Sequence, residues 1–180
     1  MPIVSPIVED PFTDGRQSER ALTVRTGVER HFHAQGWVTL TEVTLDGGRR
    51  ADMIALSPKS EIWIIEIKSS VADMRADTKW ADYRDHCDRL LFATLMDVAE
   101  EVFPEDAGLM LADPYGADVV REAPAHPLKP AARRRQTLIF ARHAARRLQR
   151  LSAHAGVDAA LLAEPHDGED AQPVGLFGQG

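Results

Sequence analysis

The feature that most constrains this chain is a pair of strand-like segments, residues 49–56 and 61–68, joined by a short polar cluster at 57–60. The cluster, Ser-Pro-Lys-Ser, is typical of a tight turn, and both flanking segments are largely apolar. Together they predict an antiparallel hairpin. If the turn is centred on the Lys of the cluster, symmetric pairing sets Asp52 directly opposite Glu66.

The opposed carboxylates predict a cation site. Directly opposed residues of an antiparallel pair hold their Cβ atoms about 4.5–5.5 Å apart, and like charges there destabilise the sheet unless something neutralises them. A divalent cation would do so, and Mg²⁺ binds through one or two carboxylates in phosphoryl-transfer sites. Lys68 shares a face with Glu66, since side chains alternate along a strand, and could hold the attacking water or the scissile phosphate. The three residues therefore predict metal-dependent phosphodiester cleavage.

A structural interpretation of the same residues stays open. Glu66 and Lys68 could form an ion pair at a sheet edge, and Asp52 could cap a turn. The apolar neighbours of Glu66, in Ile-Ile-Glu-Ile-Lys, favour a functional site because a half-buried carboxylate without a partner is costly.

The elements before the hairpin follow from periodicity. Apolar residues recur at helical spacing through 17–35, and Gly36 provides a stop, which predicts a helix. Glu29 lies beside its apolar stripe, close enough to reach toward the strands. A β-branched run at 37–45 predicts a strand that ends at the Asp-Gly-Gly turn of 46–48. Three strands therefore follow one helix.

The chain after the hairpin begins with a predicted charged helix that starts near Asp73 and has Trp80, Tyr83 and Cys87 on one side. Lys79 and Tyr83 could contact a nucleic-acid backbone at the mouth of the site, or the helix could be solvated with one aromatic seam. The later predicted elements are a strand at 90–95, a helical turn at 98–103, a strand at 108–112, a turn at 114–116 that leads into 117–122, and a Pro-rich connector at 124–130.

The last predicted helix, residues 131–151, is amphipathic. Its apolar stripe comprises Leu138, Ala141, Ala145 and Leu148. Eight basic residues follow one another without an intervening acid: Lys129, Arg133, Arg134, Arg135, Arg142, Arg146, Arg147 and Arg150. Such a run favours phosphate binding, although the solvated face of a docked terminal helix would look similar for any single Arg. The candidate nucleic-acid-binding residues are Arg50, Lys79, Tyr83, Arg133, Arg134, Arg135, Arg142 and Arg146.

Composition sets the class of protein. The net charge is −7, but the acidic excess lies in the tails, so residues 17–151 carry equal numbers of acids and bases. We expect one domain over 17–151, an irregular segment at 1–16 and a disordered acidic tail at 152–180. No apolar run approaches the roughly 20 residues of a membrane span, and the start lacks a signal-peptide pattern. With a single cysteine, Cys87, these features favour a cytoplasmic protein without membrane partners.

The chain resembles MmcB-type DNA repair proteins of the PD-(D/E)xK nuclease superfamily. Three runs carry the resemblance: Gly48-Arg49-Arg50-Ala51-Asp52, residues 61–70, and Asp77-x-Lys79-Trp80-x-x-Tyr83-Arg84. It covers about residues 17–151. The resemblance implies an α/β fold with a restriction-endonuclease-like αβββαβ core, in which a mixed central sheet is flanked by helices.

The resemblance also implies roles for residues. Asp52 and Glu66 would bind Mg²⁺ or Mn²⁺, with the carbonyl of Ile67 as a third ligand, and Glu29 would match the helix acid that many superfamily members add. Lys68 would match the lysine that positions or activates the water. Ala51 replaces the Pro that names the motif, a position that varies widely.

Two functions follow. The leading one is a DNA repair endonuclease that uses Mg²⁺ or Mn²⁺ to hydrolyse phosphodiester bonds in damaged, gapped or branched DNA. The alternative is a non-catalytic DNA-binding accessory protein that recruits repair or translesion-synthesis partners. The oligomeric state stays open between a monomer and a homodimer, because nucleases of this superfamily often act as dimers on duplex DNA. In the tail, Gln172, Leu176 and Phe177 loosely resemble peptides that dock on the bacterial sliding clamp.

Overall fold

The computed structural model describes residues 18–155. The elements in chain order are α1 Glu19–Ala34, β1 Val38–Thr44, β2 Arg50–Leu56, β3 Ile62–Ile67, α2 Val71–Ala76, a 3₁₀ helix Trp80–His86, β4 Arg89–Leu95, a 3₁₀ turn Glu100–Val102, β5 Gly108–Ala112, β6 Ala117–Arg121 and α3 Pro130–Ala155. The chain divides into two units, Met1–Ala144 and Ala145–Gly180, and the end of α3 is the part of the second unit that is described.

A six-stranded mixed sheet forms the centre, with the strands in sequence order. β3, β4 and β5 are parallel to one another, whereas β1–β2, β2–β3 and β5–β6 pair antiparallel. Helices cover both faces, so the predicted α/β class with a mixed sheet is confirmed. β2 and β3 pair Met53 with Ile65 and Leu56 with Ile62. The next pair in this register is Asp52 and Glu66, as turn symmetry predicts.

Side-chain alternation along the strands builds two cores. On one face, α1 packs Val24, Val28 and Phe32 against β-strand residues such as Ile65. On the other face, Ile62 and Ile64 belong to a cluster with Tyr83 of the 3₁₀ helix and Phe140 of α3, and Met74 of α2 packs near Phe92. Glu66 and Lys68 point to this second face, at the end of its apolar row.

Helix α1 lies very close to the β5–β6 turn. Ser18 caps its N-terminus by accepting a hydrogen bond from the amide of Ala21, and Gly36 follows its C-terminus with φ of 75°. At Gly27, an added Cβ would lie 2.3 Å from the carbonyl oxygens of both Asp113 and Gly116. Only glycine permits this approach, which fixes α1 against the sheet.

Asp88 ties the start of α3 to the sheet. Its buried carboxylate accepts hydrogen bonds from the amides of Ile62 and Leu128, each at 2.8 Å. Arg133 donates two further bonds to it, at 2.6 and 2.7 Å. Burial opposes ionisation, but the Arg133 guanidinium and the two amides outweigh it and hold the pKa of Asp88 below its ordinary value.

Two predicted helices differ from those observed. The single charged helix predicted from Asp73 onward is wrong, because α2 ends at Ala76 and a separate 3₁₀ helix begins at Trp80. Asp77 separates the two helices, because its carboxylate accepts a hydrogen bond from the amide of Lys79 and forms an ion pair with Lys68.

Within residues 18–155, no helix is long and apolar enough to cross a membrane.

The predicted apolar stripe of the last helix is also wrong. Leu138 is 52% exposed, whereas Gln136 and Phe140 are buried. The helix docks through this other face because Arg133, one turn earlier, is drawn to Asp88. The helix also runs to Ala155, beyond the predicted end at residue 151, whereas the predicted N-terminal segment 1–16 lies outside the described residues.

Candidate active site

An acidic cavity of about 590 Å³ opens where β1, β2 and β3 carry their charged residues. It brings together most of the predicted catalytic set. The lining residues that carry charge are Glu42, Arg50, Asp52, Glu66, Lys68, Asp73 and Asp77. Ile67, the predicted carbonyl ligand, and Tyr83 also line it.

Asp52 and Glu66 replace the last rungs of the β2–β3 ladder. The amide of Asp52 donates to Oε1 of Glu66 at 3.2 Å, and the amide of Ile67 donates to Oδ2 of Asp52 at 2.9 Å. Each carboxylate therefore accepts one hydrogen bond from the backbone of the opposite strand. This exchange fixes both side chains side by side at the point where the strands separate.

Burial and mutual repulsion disfavour two negative charges here. Burial, reinforced by the charge of Asp52, raises the pKa of Glu66 to about 8. Burial also raises the pKa of Asp52 to about 6, although the Ile67 amide and Lys68 act in the opposite direction. At neutral pH and without a cation, the pair therefore holds a proton. A divalent cation would remove that penalty.

Lys68 supplies a fixed positive charge beside the pair. Its buried Nζ lies 2.7 Å from Oδ2 of Asp77 and 3.8 Å from Oε2 of Glu66. Burial lowers the pKa of Lys68, but the hydrogen bond to Asp77 and the charges of Glu66 and Asp52 outweigh it, so the pKa lies above its ordinary value. Lys68 therefore remains charged and donates hydrogen bonds; it is a poor proton acceptor.

Its backbone is fixed as well. The amide of Lys68 donates to the carbonyl of Ala93, and Thr94 Oγ1 donates to the Lys68 carbonyl at 2.7 Å. Both contacts come from the parallel neighbour β4, so the lysine is held at a rigid strand end.

Glu42 is a cavity residue that the sequence analysis missed. It lies on β1 between Thr41, which pairs with Met53, and Val43, which pairs with Ala51, so it occupies the position opposite Asp52. Three carboxylates therefore form one row across three adjacent strands. The alternation along 37–45 contained this signal once β1 and β2 were paired as a hairpin. Asp77 was missed as well, although it opens one of the runs that carry the family resemblance.

Glu29 does not join this group. α1 contributes Ser18 and Ala21 to the cavity, at its N-terminal end. Because a helix rises 1.5 Å per residue, Glu29 lies about 12 Å further along the axis than Ala21. There it is 3.8 Å from Arg25 of the same helix. The carboxylate that accompanies Asp52 and Glu66 is thus Glu42.

The predicted nucleic-acid-binding residues fall into separate places. Arg50 and Tyr83 line the cavity, and Lys79 is exposed at the N-terminus of the 3₁₀ helix. Arg133 has its guanidinium bound by Asp88, so it holds the fold together. Arg135 lies 3.0 Å from Asp46 in the β1–β2 turn.

Arg134, Arg142 and Arg146 are exposed on α3, and for these residues nucleic-acid binding stays a prediction. The predicted clamp peptide, with Gln172, Leu176 and Phe177, lies outside the described residues.

Comparison with known proteins gives a family. The model of the family described as DNA repair protein MmcB-like matches residues 8–155. Among solved structures, the SPO1766 protein of unknown function from Silicibacter pomeroyi is 43% identical, with a TM-score of 0.74, and the alignment covers 79% of this chain and 98% of that one. No curated protein matches. Since the family match spans most of its length, this chain belongs to the MmcB-like family of DNA repair proteins.

Proposed function

We propose that this chain is a PD-(D/E)xK-type DNA endonuclease that uses Mg²⁺ or Mn²⁺ to hydrolyse phosphodiester bonds during DNA repair. One observation carries the proposal. Asp52 and Glu66 lie side by side in a cavity, with pKa values raised by burial and mutual repulsion, and a charged Lys68 stands beside them. Strained carboxylates in a cleft favour a functional site over a structural ion pair.

The donor set fits the proposed metal. Among residues 18–155, no three His, Cys, Asp or Glu side chains form a ready-made metal cage. Mg²⁺ does not need one, because it binds through one or two carboxylates and keeps several waters for its remaining positions. Asp52 and Glu66 offer two carboxylates, and Ile67 lies in the same cavity wall. Such hard oxygen donors suit Mg²⁺ and Mn²⁺.

Each residue then has a defined task. Asp52 and Glu66 would hold the cation, and the proton that the pair holds at neutral pH would then be released to solvent. When bound, the metal supplies positive charge at the phosphate and lowers the pKa of water. Lys68 stays protonated and donates a hydrogen bond to the attacking water or to a phosphate oxygen, which orients the reactants and stabilises developing negative charge. Asp77 keeps Nζ of Lys68 in place.

The test is cleavage of duplex, gapped and branched DNA in Mg²⁺ or Mn²⁺. Asp52→Asn and Lys68→Gln keep side-chain size and remove the charges, so each should lower the cleavage rate about 100-fold or more. The matched control is Asp97→Asn, which removes an exposed carboxylate whose partner is Arg20. Equal cleavage rates for all four proteins would overturn the proposal.

A non-catalytic DNA-binding accessory protein is the second candidate. The exposed Arg134 and Arg142 of α3 support it, since they could contact phosphates without any chemistry. Calorimetry with Mn²⁺ separates the two candidates: heat that is absent in Asp52→Asn favours the enzyme, and no heat in the unmodified protein favours the accessory role. Docking on a sliding clamp, recruitment of other repair partners and homodimer formation stay predictions.

A further inference from the structure

Arg50 stands at the wall of the acidic cavity in an arrangement that fixes it at two points. Its Nε lies 2.6 Å from Oε2 of Glu42, and its backbone carbonyl accepts a hydrogen bond from the hydroxyl of Tyr83 at 2.8 Å. Tyr83 is buried, and burial raises the pKa of its hydroxyl, so it stays a donor. Both the backbone and the side chain of Arg50 are thus preset.

The guanidinium is held by one edge only. Its Nε faces Glu42, and within residues 18–155 the structure gives no hydrogen bond to its two terminal nitrogens. The Arg50 side chain is 54% exposed, whereas the Glu42 side chain is 10% exposed. A planar guanidinium presents five donors in a fixed fork that matches two oxygens of a phosphate. The outward edge of Arg50 is therefore available to an anion.

The position of Glu42, which supports Arg50, is unfavourable both in its backbone conformation and in its charge. Its φ is 51°, in the left-handed region that residues other than glycine, asparagine and aspartate seldom adopt. Its buried carboxylate also lies in the same row as Asp52 and Glu66, where added negative charge is unfavourable. Strained backbone of this kind clusters at functional sites. If Arg50 served only to neutralise Glu42, the hydrogen bond from the Tyr83 hydroxyl to the Arg50 backbone carbonyl would have no role.

We infer that Arg50 forms a phosphate-binding subsite, preset by Glu42 and Tyr83, for the nucleic-acid phosphate next to the one at Asp52 and Glu66. Arg50 and Asp52 are two residues apart on β2 and line the same cavity. Two residues of a strand span about 6.6 Å, so the two sites lie side by side along the strand. The inference rests on the proposed function, because it assigns the neighbouring phosphate to the substrate of the same cavity.

The test measures DNA binding with Ca²⁺ in place of Mg²⁺, so that no cleavage is needed. Fluorescence anisotropy is recorded for duplex, gapped and branched DNA at several salt concentrations. Arg50→Ala should weaken binding about tenfold and reduce the slope of log affinity against log salt by about 1, since one phosphate contact is lost. Arg50→Lys should not restore it fully, because lysine cannot bind Glu42 and a phosphate through separate edges. The matched control is Arg30→Ala, an exposed arginine of α1 outside the cavity lining.

Glu42→Gly separates positioning from charge. Glycine accepts the left-handed φ of this position, so the variant should fold. It removes a negative charge, which by itself would strengthen DNA binding. If Glu42 positions Arg50, the variant should instead bind DNA several-fold more weakly, and its salt slope should approach that of Arg50→Ala.

Several outcomes would overturn the inference. These are unmodified protein that binds none of the DNAs, Arg50→Ala with the affinity and salt slope of Arg30→Ala, or Glu42→Gly with unchanged or tighter binding. DNA cleavage together with any of these results would refute the subsite and leave the nuclease intact. Arg50-dependent binding without any cleavage would refute the nuclease and leave the subsite intact.

Discussion

The carboxylate pair should make the metal-free protein less stable as pH rises. Glu66 titrates at a pKa of about 4.5 when unfolded, and its folded pKa is about 8. Between these values the folded state binds a proton that the unfolded state lacks, so the free energy of unfolding falls with rising pH. Above pH 8 the full penalty is present. Below pH 4.5 it vanishes, because Glu66 is protonated in both states.

Glu66→Gln removes this penalty and keeps most of the geometry. An amide oxygen can still accept the amide hydrogen of Asp52, as Oε1 of Glu66 does. Each pKa unit corresponds to about 1.4 kcal/mol. A rise from 4.5 to about 8 is thus worth several kcal/mol. Because the cavity admits water that screens the charges, we expect the variant to gain about 2–3 kcal/mol over the unmodified protein at pH 8.5.

Urea denaturation in EDTA at pH 5, 7 and 8.5 measures the effect. The unfolding midpoint of Glu66→Gln should exceed that of the unmodified protein by roughly 1 M urea at pH 8.5, and the difference should be small at pH 5. Glu122→Gln is the matched control, since its side chain is 79% exposed and should give no such pH dependence. A Glu66→Gln difference that is constant across pH would refute the idea that the site holds a strained pair.

Two further predictions test how the fold holds the site. Asp88→Ala should cost about 3–5 kcal/mol and lower Tm by roughly 10 °C in a thermal melt, because the amides of Ile62 and Leu128 and the guanidinium of Arg133 lose their acceptor. Asp97→Ala should cost less than about 1 kcal/mol, because Asp97 belongs to an ion pair whose side chains are 47% and 65% exposed. Similar costs for the two variants would contradict this prediction. Gly27→Ala should cost about 1–3 kcal/mol in urea denaturation, since its Cβ would meet two carbonyl oxygens at 2.3 Å, whereas Gly116→Ala has open space and should be nearly neutral; a stable Gly27→Ala protein would show that α1 can move.

The hairpin and its opposed carboxylates were predictable because local rules fix them. The turn at 57–60 sets the register, and a two-residue period then places Asp52, Glu66 and Lys68. A slip of one residue would have turned the charged face into the apolar core, so few alternatives existed. The same logic, carried to β1, would have found Glu42.

The other site residues depend on contacts that no local pattern contains. Asp77 interrupts a run of helix-forming residues because Lys68, nine residues earlier, is buried beneath it and needs a partner. The docked face of α3 follows from Arg133 meeting Asp88, not from the stripe of leucines. Glu29 had the right chemistry, but α1 meets the cavity through its first turn, which places this acid elsewhere.

The way the charges of the cavity pair off indicates where the protein leaves room for a ligand. Glu42 is bound by Arg50, and Lys68 is held by Asp77 at 2.7 Å, closer than its 3.8 Å distance to Glu66. Asp52 and Glu66 are then left with backbone amides as their nearest donors. A fold selected for stability alone would bring a base into direct hydrogen-bond contact with this pair, because poorly compensated buried charge is costly. In this cavity, Arg50 instead pairs with Glu42 and Lys68 with Asp77. A cation from solution is the simplest species that would neutralise Asp52 and Glu66.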